Sequence, residues 1–432
     1  MNTQSHHTTV RVYRLTTLTI LILLVWLAGG CADPAAVTPD PSATVQTETP
    51  TREPTSTPTQ SATETPSPSA TPLETKPSPT SAPITQLEAI RDAGLVAEDQ
   101  GWVISAQRLL WTSDGGDSWV DITPTQQGDF IITNAFFLDV DQGWVVMIPP
   151  PQVEQVSIEI LVFYSQDGGE TWEQNSWQAD LPFGVYSGLT DLKFIDSQTG
   201  WLVVNQTMTM NASAADLYRT QDGGLTWQMS QLPYNGAVHF INAEVGWTIG
   251  SCCTGASRQL FRSQDGGQTW DQQAFVPNPV EDGFDYHDYH LPVYFDQQEG
   301  LLAVLHKDVF YDVVEVGVYR TADGGSSWQP VTTFSPDELA EPGPGAFTQV
   351  QFLQPEYWIA AVGKSIYVTD DAGESWTRLE QDTLPGFHYR LMFASENVGW
   401  SVLFRDNCGD NCLLLYQTGD GGETWEALGE QR

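Results

Sequence analysis

The stretch that decides the fold is Thr112–Trp119, with the sequence TSDGGDSW, because seven versions of it recur along the chain. Each version reads as a hydroxyl residue, any residue, Asp, Gly or Ala, Gly, any residue, Ser or Thr, and Trp. The Asp residues are separated by 53, 55, 43, 58, 48 and 49 positions and are Asp114, Asp167, Asp222, Asp265, Asp323, Asp371 and Asp420. Self-similarity at about fifty residues indicates an architecture built from repeated units.

The chemistry of this stretch is that of a tight hairpin turn. The Asp carboxylate can accept hydrogen bonds from backbone N–H groups of its own turn, and Gly permits the positive φ angles that tight turns require. The Trp starts the next strand and buries about 150–250 Å². Strand-like runs such as Leu161–Tyr164 precede the turns. The motif is therefore predicted to join two antiparallel strands.

A second recurring element precedes the turn in most units. It is an apolar strand that ends near a Gly-Trp pair, as in Gly143–Trp144 and Gly200–Trp201, and a second apolar strand follows. Each unit of about fifty residues then contains four strands. This pattern predicts an all-β fold, a seven-bladed β-propeller with four-stranded antiparallel blades over residues 86–432.

The repeated turn resembles the Asp-box of sialidases, sortilin-type receptors and related propellers, in which it is a structural turn and not an active site. Together with the Gly-Trp strands, it resembles the photosystem II assembly and stability factor family, which consists of seven-bladed propellers. The resemblance covers almost the whole folded region and implies a binding or assembly scaffold. Plant and cyanobacterial members carry a basic patch for their partner, whereas this chain has a large excess of acidic residues.

The amino terminus is predicted to be an export signal over residues 1–30. Arg11 and Arg14 precede the apolar run Leu15–Ala28, and small residues lead to Cys31. This order is typical of a secretory signal, and the run is shorter than the roughly 20 residues of a spanning helix. Small residues before a Cys resemble the lipobox of bacterial lipoproteins, which implies cleavage before Cys31 and lipidation of its thiol. The alternative is an uncleaved anchor helix.

Residues 31–85 are predicted to be a disordered tether. From Ala32 to about Pro83 the chain is almost entirely Thr, Pro, Ser, Ala and Glu, with no aromatic residue. Such a segment cannot bury enough apolar surface to offset the entropy of ordering. We expect it to lift the propeller off the outer face of the cytoplasmic membrane, on the extracellular or periplasmic side.

The charge of the chain limits its partners. Asp and Glu number 55 against 17 Lys and Arg, and the formal net charge is −38. Such a surface repels nucleic-acid phosphates and anionic lipid headgroups, so we expect no nucleic-acid partner and membrane contact only through the lipid anchor. The sequence predicts a monomer without a cofactor, whose partner is an unknown protein or carbohydrate ligand.

A binding face is expected opposite the Asp-box turns, where loops between blades lie on a rigid scaffold. Aromatic residues and histidines in these loops could bind a sugar, a peptide or a cationic partner, and they are Phe183, Tyr186, Tyr234, Tyr286, His287, Tyr289, His290, Phe387 and Tyr389. The alternative is ordinary packing over the edge of the core. The two histidines with Asp285 and Asp288 could bind a metal, but this spacing in a loop is weak evidence, and no metal site is assigned.

Four cysteines remain besides the lipidation site. Cys252, Cys253, Cys408 and Cys412 fall in loops between second and third strands, in blades four and seven. Disulfides are favoured outside the cytoplasm. We predict one bond between Cys408 and Cys412 and a vicinal bond between Cys252 and Cys253. Cross-pairing of the two loops and a metal site are the alternatives.

The alternative function is a glycoside hydrolase of sialidase-like or other Asp-box type. A sialidase needs three Arg residues on different blades to hold a carboxylate, and a Tyr nucleophile with a carboxylate partner. Arg219, Arg262 and Arg320 stand directly before Asp-box turns, which places them away from the axis. Only Lys193 and Arg390 lie in predicted inner strands. We therefore assign no catalytic residue and predict a scaffold that is not an enzyme.

Overall fold

The computed structural model describes residues 84–150, 157–180, 186–209, 212–251, 257–273, 286–308, 313–335, 348–379, 384–405 and 412–431. Within these ranges all regular secondary structure consists of β-strands. The described residues contain no helix with the length and apolar content needed to cross a bilayer. The predicted signal peptide, Cys31 and the tether up to Pro83 lie outside the described residues.

Seven blades follow one another along the chain, each with four strands. Blade one consists of β2 (Ile90–Ala97), β3 (Gln100–Ser105), β4 (Arg108–Thr112) and β5 (Val120–Asp121), and blade two of β6 (Ile131–Phe137), β7 (Gly143–Ile148), β8 (Ser157–Ser165) and β9 (Glu173–Asp180). Blade three consists of β10 (Tyr186–Phe194), β11 (Gly200–Thr209), β12 (Ala212–Thr220) and β13 (Gln228–Gln231), and blade four of β14 (Val238–Phe240), β15 (Gly246–Gly250), β16 (Gln259–Ser263) and β17 (Asp271–Gln273). Blade five consists of β18 (Tyr286–Tyr289) with β19 (Val293–Tyr294), then β20 (Gly300–Lys307), β21 (Val313–Thr321) and β22 (Gln329–Phe334). Blade six consists of β23 (Thr348–Phe352), β24 (Trp358–Val362), β25 (Ser365–Thr369) and β26 (Thr377–Arg378). Blade seven consists of β27 (Phe387–Phe393), β28 (Gly399–Phe404), β29 (Leu413–Thr418) and β30 (Glu426–Ala427).

Each blade is an antiparallel sheet whose strands pair in the order of the sequence. Blade five differs only in its first strand, which is divided into β18 and β19, both paired with β20. The predicted seven-bladed, four-stranded propeller is confirmed.

The Gly-Trp element of blade three joins that blade to blade four. The Gly leaves room for an aromatic ring, since a Cβ on Gly200 would lie 2.5 Å from the ring of Phe194. The following Trp201 is fully buried, stacks on Phe240 of blade four at 3.8 Å, and donates from Nε1 to the backbone oxygen of Gly266 at 3.0 Å. Buried aromatic surface and a satisfied indole N–H therefore fix blade three against blade four.

The Asp-box turn is held by its own side chains. Thr220 Oγ1 accepts a hydrogen bond from Gly224 N–H at 2.9 Å and donates to Asp222 Oδ1 at 2.8 Å. Asp222 also accepts hydrogen bonds from the backbone N–H and the hydroxyl of Thr226. The other six turns repeat this pattern around Asp114, Asp167, Asp265, Asp323, Asp371 and Asp420.

The backbone of the turn requires a left-handed conformation after the Asp. Gly223 has φ of 77°, and Ala372 adopts φ of 58° at the same place in blade six. The N–H of this residue donates to the loop between the first and second strands, as from Gly223 to Gln198 O at 2.9 Å. The turns and these loops therefore share one face, which we name the Asp-box rim.

The ends of the described chain meet between blades one and seven. The short strands β1 (Gln86–Leu87) and β31 (Glu430–Gln431) pair in parallel. Leu87 packs in one buried cluster with Trp119 of blade one and Trp400 of blade seven. The sequence left the closure of the ring open, and the structure closes it with this two-stranded sheet and its apolar cluster.

Candidate functional site

The inner strands surround the axis of the propeller. They are the first strands of the blades, β2, β6, β10, β14, β18, β23 and β27. First strands contact each other between blades one and two, two and three, three and four, six and seven, and seven and one. Polar side chains on these strands are the first groups that a ligand at the axis would meet.

Side chains on the inner strands link blades six, seven and one. Arg390 of β27 donates from Nη1 to Asp92 Oδ1 of β2, and both side chains are partly exposed. Gln349 of β23 donates from Nε2 to Tyr389 O, and its Oε1 accepts from Leu391 N–H at 2.9 Å. These contacts fix the polar groups of three blades relative to each other.

A second group of charges lies where blades two, three and four meet. Lys193 Nζ lies 3.5 Å from Asp191 Oδ1 and 5.6 Å from the centroid of the Phe136 ring. Asp191 Oδ2 accepts from Val238 N–H at 3.3 Å. Burial, with the nearby charge of Lys193, lowers the pKa of His239 to about 4. His239 is therefore neutral at physiological pH, beside a paired carboxylate and ammonium group.

The inner part of blade five holds a third group of polar side chains. Lys307 Nζ donates to Asp288 Oδ2 at 2.6 Å, and Arg258 N–H donates to Asp288 Oδ1 at 2.8 Å. Burial opposes ionisation of Asp288, but these hydrogen bonds lower its pKa. Next to it, the Nδ1 atoms of His287 and His306 lie 2.7 Å apart, so one ring donates and the other accepts.

The run Tyr286–His290 does not form the exposed loop that the sequence predicts. Tyr286–Tyr289 is the strand β18, in which His287 and Tyr289 are buried and Tyr286 is partly exposed. Burial and the charge of Arg258 lower the pKa of His290 to about 4. The alternating burial of a strand, which the Tyr-His-Asp-Tyr sequence also fits, explains why these residues face the core.

The other expected binding residues are divided between core, surface and undescribed segments. Phe387 is buried, and Tyr234 is partly buried against Phe261 at 5.7 Å. Tyr389 on β27 is 43% exposed. Tyr186 begins β10, and Phe183 lies outside the described residues. Among those of the nine whose side chains the structure describes, Tyr389 is the exposed one, and it lies on an inner strand.

The three Arg residues before the Asp-box turns bind structural groups. Arg219 donates to Ala243 O at 2.8 Å, and Arg262 donates to Gly324 O at 3.0 Å in the next blade. Arg320 pairs with Glu299 of its own blade. These contacts lie at the Asp-box rim, so the guanidinium groups do not meet at the axis as a carboxylate clamp.

A glycosidase acid would need a carboxyl group with a raised pKa that can reach a substrate. Burial raises the pKa of Asp216, whose Oδ2 accepts from Gln206 Nε2 at 2.6 Å. Asp216 is only 5% exposed and lies on β12, a third strand. Because Asp216 is buried within the sheet, a sugar cannot reach its carboxyl group.

Three grooves lie at equivalent places, between blades two and three, four and five, and six and seven. Each is bounded by the third strand of one blade and the Asp-box of the next. Arg262 crosses the second groove to Gly324, and acidic residues line the third, Asp370, Glu396, Asp420 and Glu423. Their recurrence shows that the repeat geometry creates them.

Sequence reasoning missed Asp92, Asp191 and Gln349 as functional candidates. Asp92 and its partner Arg390 are 298 residues apart. The sequence signal that could have found them is a polar residue between apolar residues of a first strand, as Lys193 lies between Leu192 and Phe194. That signal identifies a residue that faces away from the core, but it does not identify its partner in another blade.

Two family models match parts of the chain. The BNR/Asp-box repeat model matches residues 163–174, and the model described as Sortilin, neurotensin receptor 3 matches residues 316–432. All seven turns of the structure share the geometry of the first match. The chain is an Asp-box β-propeller.

Two curated relatives each match about a quarter of this chain. The photosystem II assembly lipoprotein Ycf48 of Synechococcus sp. (strain CC9902) is 33% identical over 111 residues, which are 26% of this chain and 30% of that protein. The anhydrosialidase of Macrobdella decora is 30% identical over 115 residues, which are 24% of this chain and 15% of that protein. The matched regions thus span less than a third of either relative.

Solved structures share the fold of the propeller over most of its length. YCF48 bound to a D1 peptide superposes with a TM-score of 0.51 at 17% identity, over 78% of this chain and 94% of that one. The GH74 xyloglucanase of Xanthomonas campestris superposes with a TM-score of 0.50 at 13% identity, over 79% and 55%. At these identities the likeness establishes the propeller fold alone.

The described part of the propeller holds no cluster of three or more His, Cys, Asp or Glu residues that could hold a metal. Asp285, one of the four residues considered above as possible metal ligands, lies outside the described residues. Cys412 directly precedes β29, whereas Cys252, Cys253 and Cys408 are not among the described residues. The pairing of the cysteines stays a prediction.

Proposed function

We propose that this Asp-box propeller is a binding or assembly module, not an enzyme, that holds a polypeptide segment of a partner protein against its inner strands. The observation that carries the proposal is the pairing of the inner-strand charges. Asp92 is paired with Arg390 and Asp191 with Lys193, and both pairs lie where neighbouring blades meet. Fixed charges of both signs suit the polar backbone and mixed side chains of a polypeptide.

The positions of these carboxylates do not suit glycoside hydrolysis. A glycosidase needs two carboxyl groups on either side of the bond that it cleaves, whereas Asp92 and Asp191 lie on the first strands of different blades and are each paired with a cation. The resemblance to Ycf48, whose structure was solved with a D1 peptide, supports a polypeptide as the ligand and an assembly role. The glycosidase hypothesis has no comparable contact in the described residues to support it.

The amino-terminal sequence supports a location for this module. The signal-like residues 1–30, Cys31 and the Thr/Pro/Ser-rich segment would hold the propeller at the outer face of the cytoplasmic membrane. Mass spectrometry of the mature protein should find a lipid-modified Cys31 at the amino terminus. Recovery of an intact peptide from Met1 to Gly30 would refute this part of the proposal.

Site-directed photo-crosslinking tests the binding face. A photo-reactive amino acid replaces Tyr389 on the inner strands or, as a matched control, Glu244 on the Asp-box rim. We expect a crosslinked polypeptide in membranes of the native host from the Tyr389 position only, and its loss in the Arg390→Gln variant. Equal crosslinking from Glu244, or turnover of any polysaccharide by the purified chain, would overturn the proposed function.

A further inference from the structure

The fourth strand of blade two is an open sheet edge. β9 pairs with β8 at every position from Glu173 to Asp180, without a shift of register. As far as the described residues extend, the fourth strands of the other blades have two to six residues, against eight in β9. Among the described residues β9 pairs with β8 alone, so its outer side presents backbone donors and acceptors to a further strand.

Comparison with the other blades indicates which residues of β9 point their backbone N–H and C=O groups outward. In blades one, six and seven the third residue after the Asp-box Trp donates inward to the third strand, as from Ile122 N–H to Leu109 O at 3.0 Å. Asn175 is the equivalent residue of blade two. Because the direction alternates along a strand, Gln174, Ser176 and Gln178 point their N–H and C=O groups outward.

Blade five provides an internal control. Its fourth strand, β22, has six residues, but Pro330 stands two places after Trp328, where blade two has Gln174 two places after Trp172. Pro has no N–H to offer, and the pairing of β22 with β21 also shifts register at Val318. β22 is the second longest of the described fourth strands, and Pro330 removes the N–H group at the position where β9 has Gln174.

A groove lies beside the first residues of β9. It has a volume of about 260 Å³ and is lined by Tyr164, Gln174, Asn175 and Leu225, among others. Leu225 is 64% exposed. The same place in the other Asp-boxes is polar, with Asp117, Glu170, Gln268, Ser326, Glu374 and Glu423. An apolar side chain of an added strand could therefore lie against Leu225.

We infer that the edge of β9 binds an extended segment of a partner protein by strand addition, with basic residues near the ends of that segment. Only a polypeptide supplies alternating N–H and C=O groups at strand spacing. The exposed side chains of Glu173 and Asp180 at the two ends of β9 favour Lys or Arg. This surface is at the outer edge of blade two, so the inference goes beyond the inner-strand function and does not depend on it.

Two other occupants fit less well. A second copy of β9, paired antiparallel through the outward groups, would place Ser176 opposite Ser176 and Gln174 opposite Gln178. The formal net charge of −38 on each chain opposes such a pairing, and the acidic side chains of Glu173 and Asp180 add like charges at both ends of β9. The Thr/Pro/Ser-rich segment before residue 84 has Pro throughout, which removes the N–H groups that a ladder needs.

The test uses an eight-residue peptide of alternating Thr and Val with a Lys at each end, labelled for fluorescence anisotropy, and the full chain in detergent. We expect saturable binding that weakens about tenfold or more in Gln174→Pro, which copies Pro330, and in Ser176→Pro. The matched variants Gln174→Ala and Ser176→Ala retain the N–H groups and should bind normally. A peptide with Glu at both ends should bind less tightly at low salt.

Circular dichroism and the melting temperature establish that the Pro variants remain folded. Equal binding by folded Pro variants, or no binding of the peptide to the unmodified chain, overturns the inference. A concentration-dependent dimer that the Pro variants abolish assigns the edge to a second copy and overturns it as well. Crosslinking from Tyr389 should be the same in all these variants, so the two proposals fail independently.

Discussion

The Asp-box rim and the inner strands use polar residues in opposite ways. At the rim, Thr220 and Asp222 satisfy each other and the backbone within a single turn, and the same contacts occur in all seven turns. On the inner strands, Asp92 meets Arg390 from another blade and Gln349 binds the backbone of β27. Among the described residues, an ion pair joins the first strands of two blades at this one junction, between Asp92 and Arg390.

The difference separates residues that build the propeller from residues that give it specificity. A contact that recurs in every blade follows from the repeat and holds the architecture. A contact that occurs once distinguishes one blade junction from the others, so it is available for recognition of a partner. The comparison predicts that a substitution of a repeated residue lowers stability, whereas a substitution of a unique inner-strand residue mainly lowers binding.

The largest expected effect is the loss of a repeated, buried aromatic residue. Trp201→Ala removes a fully buried ring that stacks on Phe240 and an indole that donates to Gly266. We expect a loss of about 3–5 kcal/mol in the free energy of unfolding, measured by urea denaturation. Leu225→Ala, at an exposed position, serves as the control and should change stability by less than about 0.5 kcal/mol.

The two regions should respond to acid in different pH ranges. Burial lowers the pKa of His388 on β27 to about 4, against about 6.5 in an unfolded chain. The folded state favours the neutral ring, so stability is fully present above pH 6.5 and falls as pH decreases towards 4, by up to about 3 kcal/mol. His388→Gln should make this decline shallower in urea denaturation between pH 7.5 and 4.5, and the decline that remains comes from His239 and His290, whose pKa values burial also lowers to about 4.

At the rim, by contrast, hydrogen bonds from Ser327 and Ser375 hold the pKa of Asp323 and of Asp371 at about 2. Depressed carboxyl pKa values stabilise the fold above about pH 3.9 and lose this effect as pH falls towards 2. A decline of the same steepness from pH 6.5 to 4 in the His388→Gln variant would contradict the separation of the two ranges.

A smaller effect is expected for the buried hydroxyl of one turn. Thr220→Val keeps the shape of the side chain but removes the acceptor for the N–H groups of Asp222 and Gly224. Leaving buried backbone groups without their acceptor should cost about 1–3 kcal/mol. Thr377→Val, at an exposed strand position, is the matched control. Equal stabilities of the two variants would show that the turn does not depend on its own hydroxyl group.

The smallest effect on stability is expected for the inner ion pair. Asp92 and Arg390 are partly exposed, and such pairs contribute about 1 kcal/mol or less. A double-mutant cycle with Asp92→Asn and Arg390→Gln should find a coupling energy in this range, while crosslinking from Tyr389 is lost. A coupling energy as large as the effect of Trp201→Ala would place this pair with the architecture and remove the distinction between the regions.

Local chemistry made the architecture predictable. The side-chain hydrogen bonds within each Asp-box join residues at most four positions apart, so the spacing of hydroxyl, Asp, Gly and Trp was enough to predict the turn. The Tyr286–His290 run was placed wrongly because aromatic and polar residues in alternation fit a loop as well as a half-buried strand. The short edges of most fourth strands and the open edge of β9 were not visible in the sequence.

The sequence by itself determined the seven repeated units, their antiparallel strands and the face on which the Asp-box turns lie, because these depend on contacts between near neighbours and on a period of about fifty residues. Only the tertiary structure decided which inner-strand charges meet and how β1 and β31 close the ring. These contacts join residues that the chain separates by hundreds of positions. Their geometry depends on how all the blades pack around the axis, and no local pattern encodes it.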